Sequence, residues 1–293
     1  MTNRRSHHWL TLLPLLLLLL LILTGCAVVS AGGAEKQSAG ESTALEALFF
    51  DAGKADAILL TTEHAAILVD CGEKGFGQTV LAELEARGIG QLDCLIVTHF
   101  DKDHVGGAAK IINSIPVKTV LQSNCPKDSE EYEKYCRALE KAGTEPVTVR
   151  ETRELSFDGL RLAVDPPRKS DYDSDDSNNS SLIVTVHNGE QVLLLTGDAE
   201  TERLAEYLEY SRQDCDVLKV PHHGGKESMT AALLQEAKPE YAVITCSDAE
   251  PEDAETLRLL EASGAEVFLT RLGSVRLVSD GKTLTLAYAE RGG

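Results

Sequence analysis

The apolar run Leu92–Val97 breaks into T-H-F-D-K-D-H-V-G-G (Thr98–Gly107), and that junction narrows the folds open to the chain. A short apolar run without alternation suits a strand buried on both faces. Four ionisable side chains, His99, Asp101, Asp103 and His104, then crowd together before Gly106-Gly107 opens a helical stretch, A-A-K-I-I. Open α/β sheets present their ligand sites at such carboxyl ends of strands. Alternate residues of an extended turn project the same way, so His99, Asp101 and Asp103 are expected to converge. His104 is expected to reach round from the start of the helix.

Two further strand ends carry the same chemistry. L-L-L-T-G-D ends at Asp198, and L-K-V-P-H-H-G-G places His222 and His223 just past a strand. Imidazole and carboxylate together are ligands for zinc, manganese or iron, and the Asp198 carboxylate is placed to bridge two ions. Beyond residue 25, His64 and His187 alone fall outside these stretches, and both are expected at the surface. No C-x-x-C occurs, so a thiolate zinc site is not expected. Cys94 and Cys215 lie in apolar runs and read as buried thiols. Cys125 and Cys136 flank an acidic segment and are the one pair read as a candidate disulfide.

Between residues 45 and 290 short strand signals and helical signals alternate with no linker. Strands are expected over 44–50, 57–61, 65–69, 92–97, 117–121, 217–220, 241–245, 266–269, 274–278 and 283–288. Helices are expected over 78–87, 108–112, 129–142, 200–208, 230–237 and 254–262. Asn188-Gly189 between apolar runs 182–186 and 191–195 signals a hairpin. Strand-rich halves that each carry helices predict an α+β fold, an αββα sandwich of two mixed β-sheets with outer helices. Residues 45–293 are read as one domain. The acidic loop, with Asp171, Asp173, Asp175 and Asp176, has no periodicity and reads as solvated.

The first 25 residues stand apart. Arg4 and Arg5 precede Leu10–Leu23, an almost pure leucine run shorter than the ~20 residues a spanning helix needs. The cysteine directly after Leu23-Thr24-Gly25 resembles a bacterial lipobox, which implies cleavage before Cys26 and lipidation of its thiol. A plain signal peptide or an uncleaved anchor are the alternatives. Residues 26–44 are small and polar and read as a flexible tether. The domain is thus expected to be exported and held by a lipid on the outer face of the cytoplasmic membrane or in the periplasm. The formal charge of −19 becomes −21 without the leader's two arginines. That weighs against a protein that coats nucleic acid, though not against an enzyme with a metal-filled groove.

The three strand-end stretches resemble the metallo-β-lactamase fold superfamily, whose signature is H-x-H-x-D-H, then a T-G-D-like aspartate, then a late histidine. The closer resemblance is to the β-lactamase-like domain of ComEC-type competence proteins. Its D-V-G-Q-G-D-A matches Asp51–Ala57, its I-D-x-G matches Val69–Gly72, and its S-H-x-D-x-D-H-x-G-G matches Thr98–Gly107. Its N-N-x-S-L, L-L-T-G-D and L-K-V-x-H-H-G-S match Asn178–Leu182, Leu194–Asp198 and Leu218–Gly225. Against the superfamily, Asp101 replaces the second histidine, and Asn178-Asn179 stands where a middle histidine is usual. The resemblance implies a firm metal position from Asp103, His104, Asp198 and a late histidine, His223 by spacing in preference to His222. It implies a weaker, oxygen-richer position from His99 and Asp101. One or two divalent ions are expected, zinc or manganese, with magnesium as a further choice. Against the subgroup, Lys54-Ala55 replaces Gln-Gly and Glu250-Pro251 stands where His-Pro is common.

The reaction expected is hydrolysis by a metal-activated water. Asp103 or Asp198 would orient the water or take its proton, and His222 would sit behind the metal or meet the leaving group. Asn178, Asn179, Ser181, Lys219 and Asp51 are candidate substrate contacts, with turn chemistry or an exposed lysine as the alternatives. Asp56 reads as a contact or a loop cap, and Asp70 as a carboxylate that orients a ligand histidine. The resemblance points to a phosphodiesterase or nuclease acting on DNA outside the cytoplasmic membrane. The rivals are a surface phosphodiesterase on wall-polymer or small phosphoesters, and a non-catalytic surface binding lipoprotein. No protein partner is deduced.

Overall fold

The computed structural model describes residues 43–170, 172 and 177–290. The leader, Cys26 and nearly all of the tether lie outside the described residues, as do Asp171, Asp173, Asp175 and Asp176. Among the described residues no helix is long and apolar enough to cross a membrane.

Two mixed sheets form the body. The first contains β1 (Leu45–Phe49), β2 (Ile58–Thr61), β3 (Ala66–Val69), β4 (Leu92–Val97), β5 (Val117–Gln122), β6 (Val147–Thr148), β14 (Val275–Ser279) and β15 (Leu284–Tyr288). Their spatial order is β15-β14-β1-β2-β3-β4-β5-β6. The second contains β7 (Arg153–Phe157), β8 (Leu160–Asp165), β9 (Ile183–Asn188), β10 (Gln191–Leu195), β11 (Val217–Lys219), β12 (Tyr241–Ile244) and β13 (Glu266–Leu269), ordered β13-β12-β11-β10-β9-β8-β7. Strands β3 to β6 run parallel, as do β10 to β13, and the remaining pairs are antiparallel. The chain's last hairpin returns to its first strand, with Leu45 opposite Ser279.

Facing sides of the sheets bury one apolar layer, in which Phe49, Ile67 and Ile96 meet Leu162, Val184 and Leu195. Helices cover both outer faces. On the first sheet lie α1 (Gly77–Ala86), the single turn α2 (Lys102–Val105), α3 (Ala108–Ile112) and α4 (Glu130–Ala142). Helix α4 is amphipathic: Tyr135, Ala138 and Leu139 are buried, Ser129 caps its first turn, and left-handed Gly143 ends it. On the second sheet lie α5 (Thr201–Tyr210), α6 (Thr230–Ala237) and α7 (Ala254–Ser263). The four layers are those expected from the sequence.

Some elements were not anticipated. Asp158 and Gly159, both at positive φ, turn β7 into β8. His104 lies in its own turn, α2, ahead of α3. Cys125 and Cys136 are not bonded: the first is buried with its thiol toward Asn124 Oδ1 at 3.1 Å, and the second is exposed. Cys94 and Cys215 are buried as expected, His64 is exposed, and His187 is half-buried in β9 rather than at the surface.

Candidate metal centre

Carboxyl ends of β3, β4, β10 and β11 meet at one rim, each delivering a side chain through a distorted turn. After β3, Asp70 takes a left-handed backbone (φ 57). Its Oδ1 accepts from Thr98 N at 2.8 Å and its Oδ2 from Thr98 Oγ1 at 2.7 Å. The same Oδ2 lies 2.7 Å from His104 Nδ1. A carboxylate only accepts, so Nδ1 carries the proton and Nε2 is presented to the site. The Gly106-Gly107 pair makes this packing possible: a Cβ on Gly107 would lie 2.2 Å from Cys71 O.

His223 is fixed by the same logic. The chain after β11 places both His222 (φ 47) and His223 (φ 54) in left-handed backbone. His223 Nδ1 lies 2.9 Å from the Thr245 carbonyl, which can only accept, so its Nε2 also faces inward unprotonated in the neutral ring. Asp198 follows β10 after Gly197, whose positive φ lets the turn pass close to Thr98 and Ser181. Ser181 Oγ accepts from Asp198 N at 3.2 Å.

These turns converge on one point. Asp198 Oδ2 lies 3.2 Å from His104 Nε2 and 2.9 Å from His223 Nε2, and Asp103 Oδ2 lies 3.3 Å from His223 Nε2. All four ligand atoms fall within 4.8 Å of one another. A tetrahedral ion with bonds of about 2.0–2.1 Å would set its ligands about 3.3 Å apart. The Nε2 atoms of His99, His104 and His223 are buried without a hydrogen-bond partner. Such atoms are costly unless a proton or a cation fills their lone pairs, and the mixed imidazole and carboxylate donor set fits a divalent cation.

Electrostatics agree. Burial pushes the Asp198 and Asp103 carboxyls up. His223 and His104 outweigh it, so both acids lie well below the usual carboxylate range. Burial lowers the His104 and His223 imidazoles, but Asp198 together with Asp70 beside His104 and Asp103 beside His223 outweighs it and holds both above the ordinary histidine value. Without an ion these rings therefore keep protons that a ligand nitrogen must lose. The apparent affinity for zinc or manganese is expected to fall as pH drops from about 8 to about 6, with protons released on binding; calorimetry in buffers of different ionisation enthalpy reads both. A pH-independent affinity would contradict the ligand set. Replacing Asp70 by Asn is expected to weaken metal affinity roughly 10–100-fold, because the His104 ring loses its orienting acceptor. Titration calorimetry of that variant checks it.

The remaining candidates fall into two groups. His222 is turned away from the cluster: its Nδ1 lies 3.1 Å from Glu227 Oε1 and 3.4 Å from Glu200 Oε1, and its Nε2 lies 3.3 Å from Asn178 Nδ2. Asn178 also donates to Glu200 at 2.9 Å. His99 is buried beside the cluster, with Nδ1 3.1 Å from Thr98 Oγ1, and Asp101 Oδ1 is 3.8 Å from its Nε2. The others differ from the reading as substrate contacts. Lys219 is fully buried and binds Asp56 Oδ2 at 2.6 Å, Gly197 O at 3.0 Å and Asp198 Oδ1 at 3.3 Å. It is an internal counter-charge, with no access to a substrate. Ser181 is buried and accepts from Asp198 N, and Asn179 Oδ1 accepts from Arg203 N at 3.0 Å. Asp51 is exposed, and its backbone N–H donates to Ser274 Oγ at 2.9 Å, which does not tie it to the cluster. Asp56 is a buried anchor: Thr245 Oγ1 donates to its Oδ1 at 2.6 Å.

Sequence reasoning missed four supports. Arg203 is fully buried and donates to Ser181 O at 2.9 Å and Asp165 Oδ1 at 2.7 Å, which holds the 178–181 turn. Thr245, Glu200 and Glu227 were also unread. Arg203 sits among Leu204 and Tyr207 on one helical face, the only signal it offered. Lys54 and Glu250, the two departures from the subgroup pattern, face one another with Nζ 3.9 Å from Oε1.

An αββα sandwich with imidazoles and carboxylates gathered at one rim defines a metal-dependent hydrolase class, and the chain belongs to the metallo-beta-lactamase superfamily, whose model matches residues 50–247. Within it the relatives are ComEC-type competence proteins. The chain is 33% identical over 217 residues to ComE operon protein 3 of Bacillus subtilis (strain 168), covering 67% of this chain and 27% of that protein. It is 30% identical over 200 residues to Recombination protein 2 of Haemophilus influenzae, covering 67% and 23%. The chain thus spans about a quarter of the length of these relatives. Among solved structures, the metallo-beta-lactamase fold protein YhfI from Bacillus subtilis superposes with a TM-score of 0.54 at 11% identity, covering 84% of this chain and all of that one. That likeness speaks to the fold.

Proposed function

We propose that this chain is a metal-dependent phosphodiesterase that cleaves DNA outside the cytoplasmic membrane, tethered there by a lipid on Cys26. The observation that carries the chemistry is the cluster of two inward-facing imidazoles and two carboxylates around one point. Carboxylate donors beside the imidazoles suit hard phosphate chemistry. The names of the relatives, competence and recombination proteins, support the reading of DNA as substrate. The leader and the Leu-Thr-Gly-Cys sequence supply the reading of export and anchoring.

Bound at the cluster, a divalent ion would activate water and polarise a phosphoryl oxygen. The protein's own groups divide the remaining work. Asp198 is held on both oxygens, by Lys219 at Oδ1 and by the imidazoles at Oδ2, so it positions and takes no proton. Asp103 is the most exposed of the four ligands, at 19% of its side chain, and is assigned to orient the attacking water. His222, partly exposed and braced by Glu227, is assigned to the leaving-group side.

The test is a substrate panel: single-stranded DNA, duplex DNA and bis-p-nitrophenyl phosphate with the manganese- or zinc-loaded protein. Cleavage of DNA, lost in His104→Ala, is expected. Cleavage of the small diester alone would favour a wall-polymer or small phosphoester, a reading the net charge of −19 supports. Metal binding with no cleavage would refute the enzyme and leave a binding lipoprotein.

A further inference from the structure

A second cation position beside the cluster would draw on His99 and Asp101, and only His99 keeps a donor atom for it. His99 Nδ1 is committed to Thr98 Oγ1, so its buried Nε2 holds a lone pair with no hydrogen-bond partner. Asp101 does not complete the pair. Its Oδ1 lies 2.7 Å from Lys127 Nζ and is also bonded by the Ser177 hydroxyl, and Lys127 Nζ contacts that hydroxyl at 3.2 Å. Asp198, which would have to bridge two ions, has its other oxygen 3.3 Å from the Lys219 ammonium. Among the described residues, no group of three or more ligand atoms lying within 4.8 Å of one another includes His99 or Asp101. Two ammonium groups thus sit where a second dication would draw its oxygens, and like charges at that range repel strongly in a partly desolvated site.

We infer that this chain holds a single tightly bound ion, with the Lys127 ammonium standing in for the second cation opposite a substrate phosphoryl oxygen. The inference rests on reading the four-residue cluster as a metal site. Lysine suits the role as a compact point charge on a flexible stem. Its side chain is 30% exposed, so removing it leaves the core intact and unpairs Asp101 for an incoming ion.

The test counts ions and needs no substrate. The full-length protein is dialysed against excess manganese or zinc, and bound metal per chain is measured by mass spectrometry. One equivalent is expected for the native protein and for Lys127→Arg, and two for Lys127→Ala. With manganese, a spin-coupled pair should appear in the paramagnetic resonance spectrum of Lys127→Ala alone. Two equivalents in the native protein would overturn the inference, as would one equivalent in Lys127→Ala. No bound metal in any form would overturn the metal reading itself, and the inference with it. Metal counts that follow Lys127 while no phosphoester is cleaved would sink the proposed substrate only.

Discussion

Asp198→Asn is expected to abolish hydrolysis and to cost metal affinity by more than the roughly 10–100-fold typical of an outer-shell change. The reason is geometric. Asp198 Oδ2 is the one atom that lies against both inward imidazole nitrogens, at 3.2 Å and 2.9 Å. An amide is nearly the same shape, so its oxygen can still accept from Lys219 while its NH₂ meets the imidazoles. Stability of the metal-free protein should therefore change far less than activity. Calorimetric titration with manganese and thermal melts of the two forms separate these effects. Retained tight binding in Asp198→Asn would remove Asp198 from the ligand set.

Lys219→Met should do the opposite. It leaves Asp56 Oδ2 and Asp198 Oδ1 buried and facing one another without a counter-charge. Burial lowers the lysine's pKa, but Asp56 and Asp198 outweigh it and hold it above the ordinary value, so the group is charged in the folded protein. Removing one partner of a buried pair costs about 3–5 kcal/mol. For a domain of this size that is a drop in Tm of roughly 6–20 °C. A saturating divalent ion should recover part of the loss, since it neutralises Asp198 from the other side. An unchanged Tm would mean that the buried ammonium contributes nothing to holding the rim.

The two variants also mark how far the sequence could be read. Strand ends rich in His and Asp are visible because polar ligands interrupt apolar runs, and the Leu92–Val97 junction displayed this most sharply. The role of Lys219 was not visible: V-L-K reads the same whether its amine reaches water or Asp56, more than 160 positions earlier. The preference for His223 over His222 came from the resemblance's spacing, while the two successive left-handed residues that seat it are encoded by no periodicity. The β7–β8 hairpin was missed although Asp158-Gly159 is a strong turn pair. Its first strand, R-E-L-S-F, lies at a sheet edge, and its apolar alternation is confined to Leu155 and Phe157, too short a run to stand out among polar, exposed neighbours. Arg203 was passed over because an arginine on a helix is usually solvated, and only Asp165 and the 178–181 turn make it internal.

The pairing of the first strand with the last hairpin has a consequence for how the molecule comes into being. Leu45 finds its neighbour Ser279 only after more than 230 further residues have been made. The imidazole of His223 likewise arrives long after those of His99 and His104. A nascent chain therefore carries an incomplete chelate with low grip on any ion, and contacts so distant in sequence make folding slow. Cation capture therefore waits for this domain to close, and is governed by the ions available wherever the two sheets first come together.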